Sequence, residues 1–578
     1  MSSKKKKANE PEESVSQQII NYGMSMLMLI YVFSMLVFYP LYYQNKYRDM
    51  GDAKYTFFRY ASITFLIFFL IFLASWILAY RDKLNWMSMI RRLSVTDWFV
   101  AAFLLLSYLS YFFSDYRTPA VPGDTSSALM GYNGWYMGLL SQVMFVLIYF
   151  AVSRFWVWSE FTLLAAIVTS GVVYQLAIWQ RFSIDPLGMY EGLGPEYIEK
   201  FLSTLGQTTW FSSYAVLVFP LSVYYYWHDD RRWVRILAGI VMALGFGSLC
   251  TAHSDSGYVA YVLILMVFFW FSLESNKKFA RFLEILLIGL GSFRIIGIMQ
   301  ICFPEKLIQL IAEDQKISFF ITQSNLMLAA LLIVAALYGV YYKFCSSSWK
   351  EVKRTGERKT RQKNGAAESK KPGFEISSFL WLRKLMVVAA AAVLLGVVLA
   401  IVFTTKKMLP DALAGFYNVG FFNFNDDWGN CRGFNWRMSL KAISNASFKD
   451  MMIGVGPDCF AMSMDKYCAQ EVADFWQGMK LACAHNEFLN MLVTQGVLGA
   501  AAYIGIFVSF IVRCTKSGKE IGTVVPFSAA ALAYMGHNFF CYQQCICTPT
   551  VFLLMGIGEL LMRKGNHSKE NDKMIKKD

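Results

Sequence analysis

Residues 19–43, IINYGMSMLMLIYVFSMLVFYPLYY, run without a single charged side chain. At 1.5 Å per residue a helix of this length crosses the hydrocarbon core of a bilayer, about 30 Å thick. The polar stretch before it, MSSKKKKANEPEESVSQQ, leads into the run with no small-residue cleavage site, so it reads as a start-anchor rather than a cleaved signal peptide. Comparable runs follow at 57–80, 97–113, 135–153, 157–179, 207–227, 233–251, 257–273, 279–298, 323–342, 385–405, 487–512, 522–541 and 546–562. The sequence therefore predicts an all-α, polytopic transmembrane helical protein of about fourteen spans (12–14), with one large outward loop. Composition agrees: 56% of the 578 residues are apolar and 16% charged, which excludes a water-soluble globule or a disordered chain. Uninterrupted apolar runs, rather than weak alternation, exclude an outer-membrane barrel.

The net charge is +14, from 54 basic against 40 acidic residues. With the N-terminus placed in the cytoplasm, the inner segments hold 36 of the 54 basic residues, as the positive-inside rule requires. They include Lys4 to Lys7, Arg154, Arg513, the linker 343–384 and the tail 563–578. The expected layout is a cytoplasmic polar tail (1–18), helices 1–11 with a basic inner loop (19–405), an extracytoplasmic loop (406–486), helices 12–14 (487–562) and a basic cytoplasmic tail. Most of the charge then reports topology in a cytoplasmic membrane, not a nucleic-acid partner.

The 406–486 loop breaks this asymmetry, with eight basic and eight acidic residues and a dense aromatic stretch, GFYNVGFFNFNDDWGNCRGFNW. Within it FNWRMSLKAISNASFKD reads as an amphipathic helix, Trp436, Leu440 and Ile443 on one face and Arg437, Lys441 and Asn445 on another. A guanidinium at a membrane surface suits phosphate, because its fork meets two oxygens, although snorkelling to lipid headgroups explains the same pattern. The turn Gly454-Val455-Gly456-Pro457 is either a plain turn or a set of amides for an anion. Ser203 and Thr204 read as a polar mouth for sugar or as helix caps.

Of five histidines, His253, His485 and His537 fall at outer ends of spans, at one predicted depth, where imidazole can act as a base. No HxH or HxxxH spacing favours a metal, so none is expected. Asn486 and Glu487, beside His485, either orient the imidazole or cap the helix. The eleven cysteines form no CxxC pair, and no GxxxxGK[ST] loop is present to support ATP hydrolysis.

Three stretches, STLGQTTWFSSYAVLVFP, RGFNWRMSLKAISNASFKDMMIGVGPDCF and AHNEFLNMLVTQGVLGAAAYIGIF, resemble in content and order the O-antigen ligase/polymerase superfamily of bacterial membrane glycosyltransferases. The likeness extends over roughly residues 100–560. It implies a metal-independent enzyme without cofactor, working at the outer face of the cytoplasmic membrane on a polyprenyl-diphosphate-linked glycan such as an undecaprenyl diphosphate carrier, with a glycan, lipid or protein as acceptor. It implies that Arg432, with Arg437 as second candidate, binds the donor diphosphate and that His485 activates the acceptor hydroxyl. Where many members carry Ser-Arg-Gly, this chain reads Ala252-His253-Ser254-Asp255-Ser256-Gly257, a departure from the pattern. His253, Asp255, His537, Lys441, Asn486 and Glu487 are accessory candidates. The rival reading is a lipid-oligosaccharide flippase or other transporter, which would place polar groups at mid-membrane, and only Glu284 and Arg294 lie there. A docking protein is the third possibility.

Overall fold

The computed structural model describes residues 13–119, 126–308, 316–358 and 374–575. Lys4 to Lys7, the middle of the basic linker and the end of the C-terminal tail lie outside the described residues. Every predicted apolar run contributes a helix. The first eleven are α1 (Val15–Phe33), α2 (Met50–Tyr80), α3 (Val95–Phe112), α4 (Leu139–Phe155), α5 (Glu160–Arg181), α6 (Thr208–His228), α7 (Arg232–Ala252), α8 (Asp255–Ser272), α9 (Asn276–Cys302), α10 (Asn325–Arg358) and α11 (Leu382–Thr405). Four shorter helices fill the predicted loop: α12 (Trp428–Asn445), α13 (Phe448–Ile453), α14 (Phe460–Tyr467) and α15 (Ala469–Trp476). The last three are α16 (Glu487–Ser517), α17 (Val525–Asn538) and α18 (Thr548–Ile575).

Among the described residues, ten helices are long and apolar enough to cross a membrane, rather than fourteen. Helix α17 falls outside that set on length, at 14 residues, whereas α6, at 21, is long enough but less apolar. Nearly every residue of α6 from Phe211 to Trp227 is buried by other helices, as are most of α17. Their serines, tyrosines and His537 meet protein instead of lipid, so their sequences need not be uniformly apolar. Around them α7 packs on α5 and α6, and α8 on α17. At the other extreme, the apolar windows of α10 and α11 bury no residue. Helix α11 is tied at its ends, by Arg383 Nε donating to Trp270 O (2.8 Å) and by Thr405 Oγ1 accepting Phe424 N (2.8 Å).

One end of the bundle is clamped by buried charge. Asp97 takes Arg154 (3.0 Å), Arg563 and the Tyr149 hydroxyl (3.0 Å), and Glu559 takes Arg513 (Nη2–Oε1, 3.0 Å) and Arg563 (Nε, 3.2 Å). Asp97 and Glu559 are fully buried, so α3, α4, α16 and α18 are joined by pairs whose breakage would cost about 3–5 kcal/mol. Arginines that read as topological markers in the sequence thus also hold the helices together. Glu284 and Arg294 are satisfied locally: Glu284 by Tyr226 (2.8 Å), Tyr338 (2.7 Å) and Arg235 (2.9 Å), Arg294 by the carbonyls of Thr322 and Gln323.

Candidate active site

At the end of the bundle opposite that clamp, the chain between α17 and α18 folds inward as residues 539–547, FFCYQQCIC. Cys541, Tyr542, Cys545 and Cys547 are all buried, and Glu487 holds the segment by accepting the Gln543 amide. Tyr542 lies between three partners. Its ring packs on Trp135 (centroids 4.7 Å) and edge-on to His485 (5.1 Å), and its oxygen accepts from Trp210 Nε1 at 3.4 Å. Sequence reading missed this segment and Trp135. The available signal was an aromatic-cysteine stretch interrupting two apolar runs.

His485 precedes α16 in a left-handed conformation (φ 48°). Asn486 caps the helix by accepting the Leu489 amide (3.0 Å), and Glu487 accepts the Gln543 amide. Burial, and then the positive charge of Arg432, pull His485 down to about 3, which keeps it neutral across the physiological range.

Arg432 follows three consecutive left-handed residues, Gly429, Asn430 and Cys431, that break the start of α12. This turn points the guanidinium at the 539–547 segment, where Nε donates to Phe540 O (3.1 Å) and Nη1 to Gly429 O. Burial lowers its pKa, opposed by Cys541, Cys483, Asp255 and Tyr542 around it. Arg432, His485, Tyr542 and Asp255 therefore share one neighbourhood, fed from α12, α16, the 539–547 segment and α8.

The inward face of α12 is not the one the apolar pattern picked out. Phe434, Met438 and Ala442 are its buried face, whereas Leu440, expected inside with Trp436 and Ile443, is 57% exposed. Arg437 is turned outward into a two-bond pair with Asp426 (2.9 and 2.6 Å), and Lys441 pairs with Glu471. Neither joins Arg432.

Of the other two outer histidines, His537 lies within electrostatic reach of Arg432, as His485 does, and His253 does not join them. His537 is buried among hydroxyls: Nε2 meets Ser212 Oγ (2.8 Å), Nδ1 meets Ser213 Oγ (3.2 Å), and Ser212 continues to Ser254 (2.8 Å). His253 closes α7 in a left-handed conformation beside Arg181. No group of three metal-ligating side chains occurs among the described residues.

Two further readings are corrected. The amides of the Gly454-Pro457 turn are spent: Val455 N donates to Val493 O (3.3 Å) and Gly456 N to Thr494 O (3.0 Å), leaving neither for an anion. Asp458, just beyond, accepts Tyr132 N (2.7 Å) and Met137 N (2.9 Å), and burial raises it to about 7. Ser203 and Thr204 cap no helix. Their hydroxyls donate to Val173 O and Pro40 O (2.8 Å each), tying the loop before α6 to α5 and the end of the first span.

Residues 373–504 match the O-antigen ligase family model. Over this stretch, under a quarter of the chain, the protein is similar to O-antigen ligases. The match runs from α11 to the middle of α16, so it contains Arg432 and His485, and it supports membership of the O-antigen ligase superfamily. Tyr542, His537, Trp135 and Arg181 lie outside the matched stretch of the domain. The search of curated proteins finds no match.

Proposed function

We propose that the protein is a membrane glycosyltransferase that moves a glycan from a polyprenyl diphosphate to an acceptor hydroxyl at the outer face of the cytoplasmic membrane. The observation that carries this reading is the approach of Arg432 and His485 beside Tyr542, within a helical bundle and inside the O-antigen ligase match. In the reaction the acceptor oxygen attacks the anomeric carbon, the bond from that carbon to the diphosphate oxygen breaks, and the acceptor proton passes to the neutral imidazole of His485. Arg432 stabilises the negative charge that develops on the leaving diphosphate. Burial is the larger cause of the weak basicity of His485 and the charge of Arg432 the smaller; the diphosphate offsets the smaller one, so donor binding would raise the strength of the base in part. Arg437 is paired with Asp426 at the surface and is given no role in this reading.

A flippase would instead need charged groups along a central path, and Glu284 and Arg294 are consumed by tyrosines, Arg235 and carbonyls. The test is incubation of purified protein with a polyprenyl-diphosphate-linked oligosaccharide and a glycan acceptor, followed by mass analysis. Transfer changes product mass, translocation does not. Absence of any mass change with a range of acceptors would overturn the reading.

A further inference from the structure

The segment 42–49, which leads into α2, and the segment 182–194, which follows α5, enclose a cleft of about 420 Å³. Asn45, Lys46, Arg48, Asp49, Glu191 and Gly192 line it. The two walls are joined across the cleft by Lys46 with Glu191 and by Arg48 Nη2 donating to Gly192 O (3.3 Å). Asn45 Nδ2 donates to Asp49 Oδ2 (2.6 Å) along one rim. Only glycine fits at 192, where φ is 78° and a Cβ would stand 2.8 Å from Arg48 Nη2. Beneath the cleft the buried Tyr47 donates to Ser203 O (2.6 Å) and Tyr190 donates to Phe201 O (3.1 Å), the two rings lying 5.6 Å apart. These anchors set the walls in place before any ligand arrives.

Tying two turns together is the plain account of these contacts, but an exposed ion pair adds little to stability. Asn45 and Lys46 are consecutive left-handed residues (φ 47° and 59°), a strained conformation for Lys that Tyr47 holds from below. The volume lies in the range of small-molecule sites, about 300–1,000 Å³, yet such sites are mostly apolar and every side chain lining this one is polar. Its occupant must therefore be bound by hydrogen bonds. Two basic and two acidic side chains balance, so the cleft selects neither a polyanion nor a polycation. Asp49 and Glu191 offer acceptors, Lys46 and Arg48 donors and Asn45 both, the Arg48 fork reaching two oxygens at once. Hydroxyls donate and accept alike, and a neutral molecule carrying many of them on adjacent carbons is a sugar.

We propose that the cleft between segments 42–49 and 182–194 is a binding subsite for neutral sugar residues. The first turn of α2 separates it from the candidate active site. Met50 and Trp210 both lie against Gly206, and Trp210 Nε1 donates to the Tyr542 oxygen (3.4 Å). Gly51 abuts Gly134 O, and Asp52 accepts the Tyr136 hydroxyl, on either side of Trp135. In the proposed transfer, on which this part of the assignment rests, the cleft holds a sugar of the acceptor glycan away from the bond that forms. It then governs affinity for that glycan and leaves the chemical step to Arg432 and His485. All its residues precede the matched stretch 373–504, so the choice of glycan is made by the first half of the chain.

The experiment titrates the full-length protein in phosphatidylcholine nanodiscs, with no donor present, using neutral tetrasaccharides of glucose, galactose, mannose and N-acetylglucosamine, and tetragalacturonate as the acidic counterpart. Wild type should bind at least one neutral tetrasaccharide more tightly than tetragalacturonate. Arg48→Ala and Glu191→Ala, both at exposed positions, should each weaken that binding about fivefold or more, the worth of a lost hydrogen bond. Lys83→Ala, an exposed cation beyond the other end of α2, should leave it within about twofold of wild type, inside the scatter of a surface change. Failure of every neutral tetrasaccharide to bind wild type, or binding to both cleft variants as tight as to wild type, overturns the subsite. Tighter binding of tetragalacturonate overturns its assignment to neutral sugars. His485→Ala should lose transfer and keep sugar binding, so the subsite and the transfer reading fail separately. With the bound sugar as acceptor, Arg48→Ala should raise KM and preserve kcat; a fall in kcat at unchanged KM makes Arg48 merely structural and overturns the proposal.

Discussion

Replacing Gly496 by alanine tests how the candidate base is held. Gly496 interrupts α16 at φ 68° and ψ −175°, a region open essentially to glycine alone. The interruption frees the carbonyls of Val493 and Thr494, which an unbroken helix would use for amides four residues on, and these accept Val455 N and Gly456 N instead. The two backbones cross so closely that a Cβ at 496 would stand 2.4 Å from Met452 C and 2.5 Å from Ile453 N, neither of which can rotate away. Backbone strain costs about 1–3 kcal/mol, and forcing a methyl into a filled contact about 1–3 kcal/mol more. The sum is a loss of about 2–6 kcal/mol. Denaturant titration of the purified protein in mixed micelles measures it, with Gly339→Ala as control because a Cβ there meets nothing within 4 Å. Transfer should fall as well, since His485 enters α16 on the side of the crossing that would shift. A Gly496→Ala protein within about 0.5 kcal/mol of wild type, the ordinary range for a harmless surface change, would refute the reasoning.

His485→Ala should insert normally and lose transfer by about 10²-fold or more, the usual worth of a general base; retention of a tenth of wild-type product counts against the assignment. The acid limb of kcat/KM reports protonation of His485 in the free enzyme, so activity is lost as pH falls through about 3. Arg432→Gln removes a charge that opposes protonation, and the limb should move to higher pH, short of 6.5 because burial remains, with a raised KM for donor. Asp458 holds its proton to about pH 7 when folded against 3.8 when unfolded, so its contribution to stability is complete below pH 3.8 and is lost as pH rises through 7. Asp458→Asn should therefore unfold with a smaller difference between pH 4 and pH 8 than wild type; an unchanged difference excludes that role.

The helices were legible because hydrocarbon imposes one requirement on every span, and length and apolarity express it directly. Helices α6 and α17 were legible as apolar runs, but the extent of their shelter behind other helices was not. Arg432 and His485 stood out through neighbouring motif residues. The pattern through Trp436, Leu440 and Ile443 missed the packed face of α12, Phe434, Met438 and Ala442, because the helices it meets choose the face. Nothing in GVGP announces that its amides meet the broken turn of α16. Tyr542 and Trp135 were missed because their contact joins segments hundreds of residues apart, where no local period exists.

The 539–547 segment makes the candidate site indivisible. Residues 373–504 look self-sufficient as a motif, but Arg432 is anchored on Phe540 O, Glu487 on the Gln543 amide and the His485 ring on Tyr542. A gene fragment ending after α16, or a chimera exchanging only the matched stretch, would carry the reactive side chains without the wall against which they are set. Recombination in such a protein is constrained to exchange the last two helices together with the domain, and the boundaries of a functional unit here are drawn by three-dimensional contact instead of by contiguous sequence.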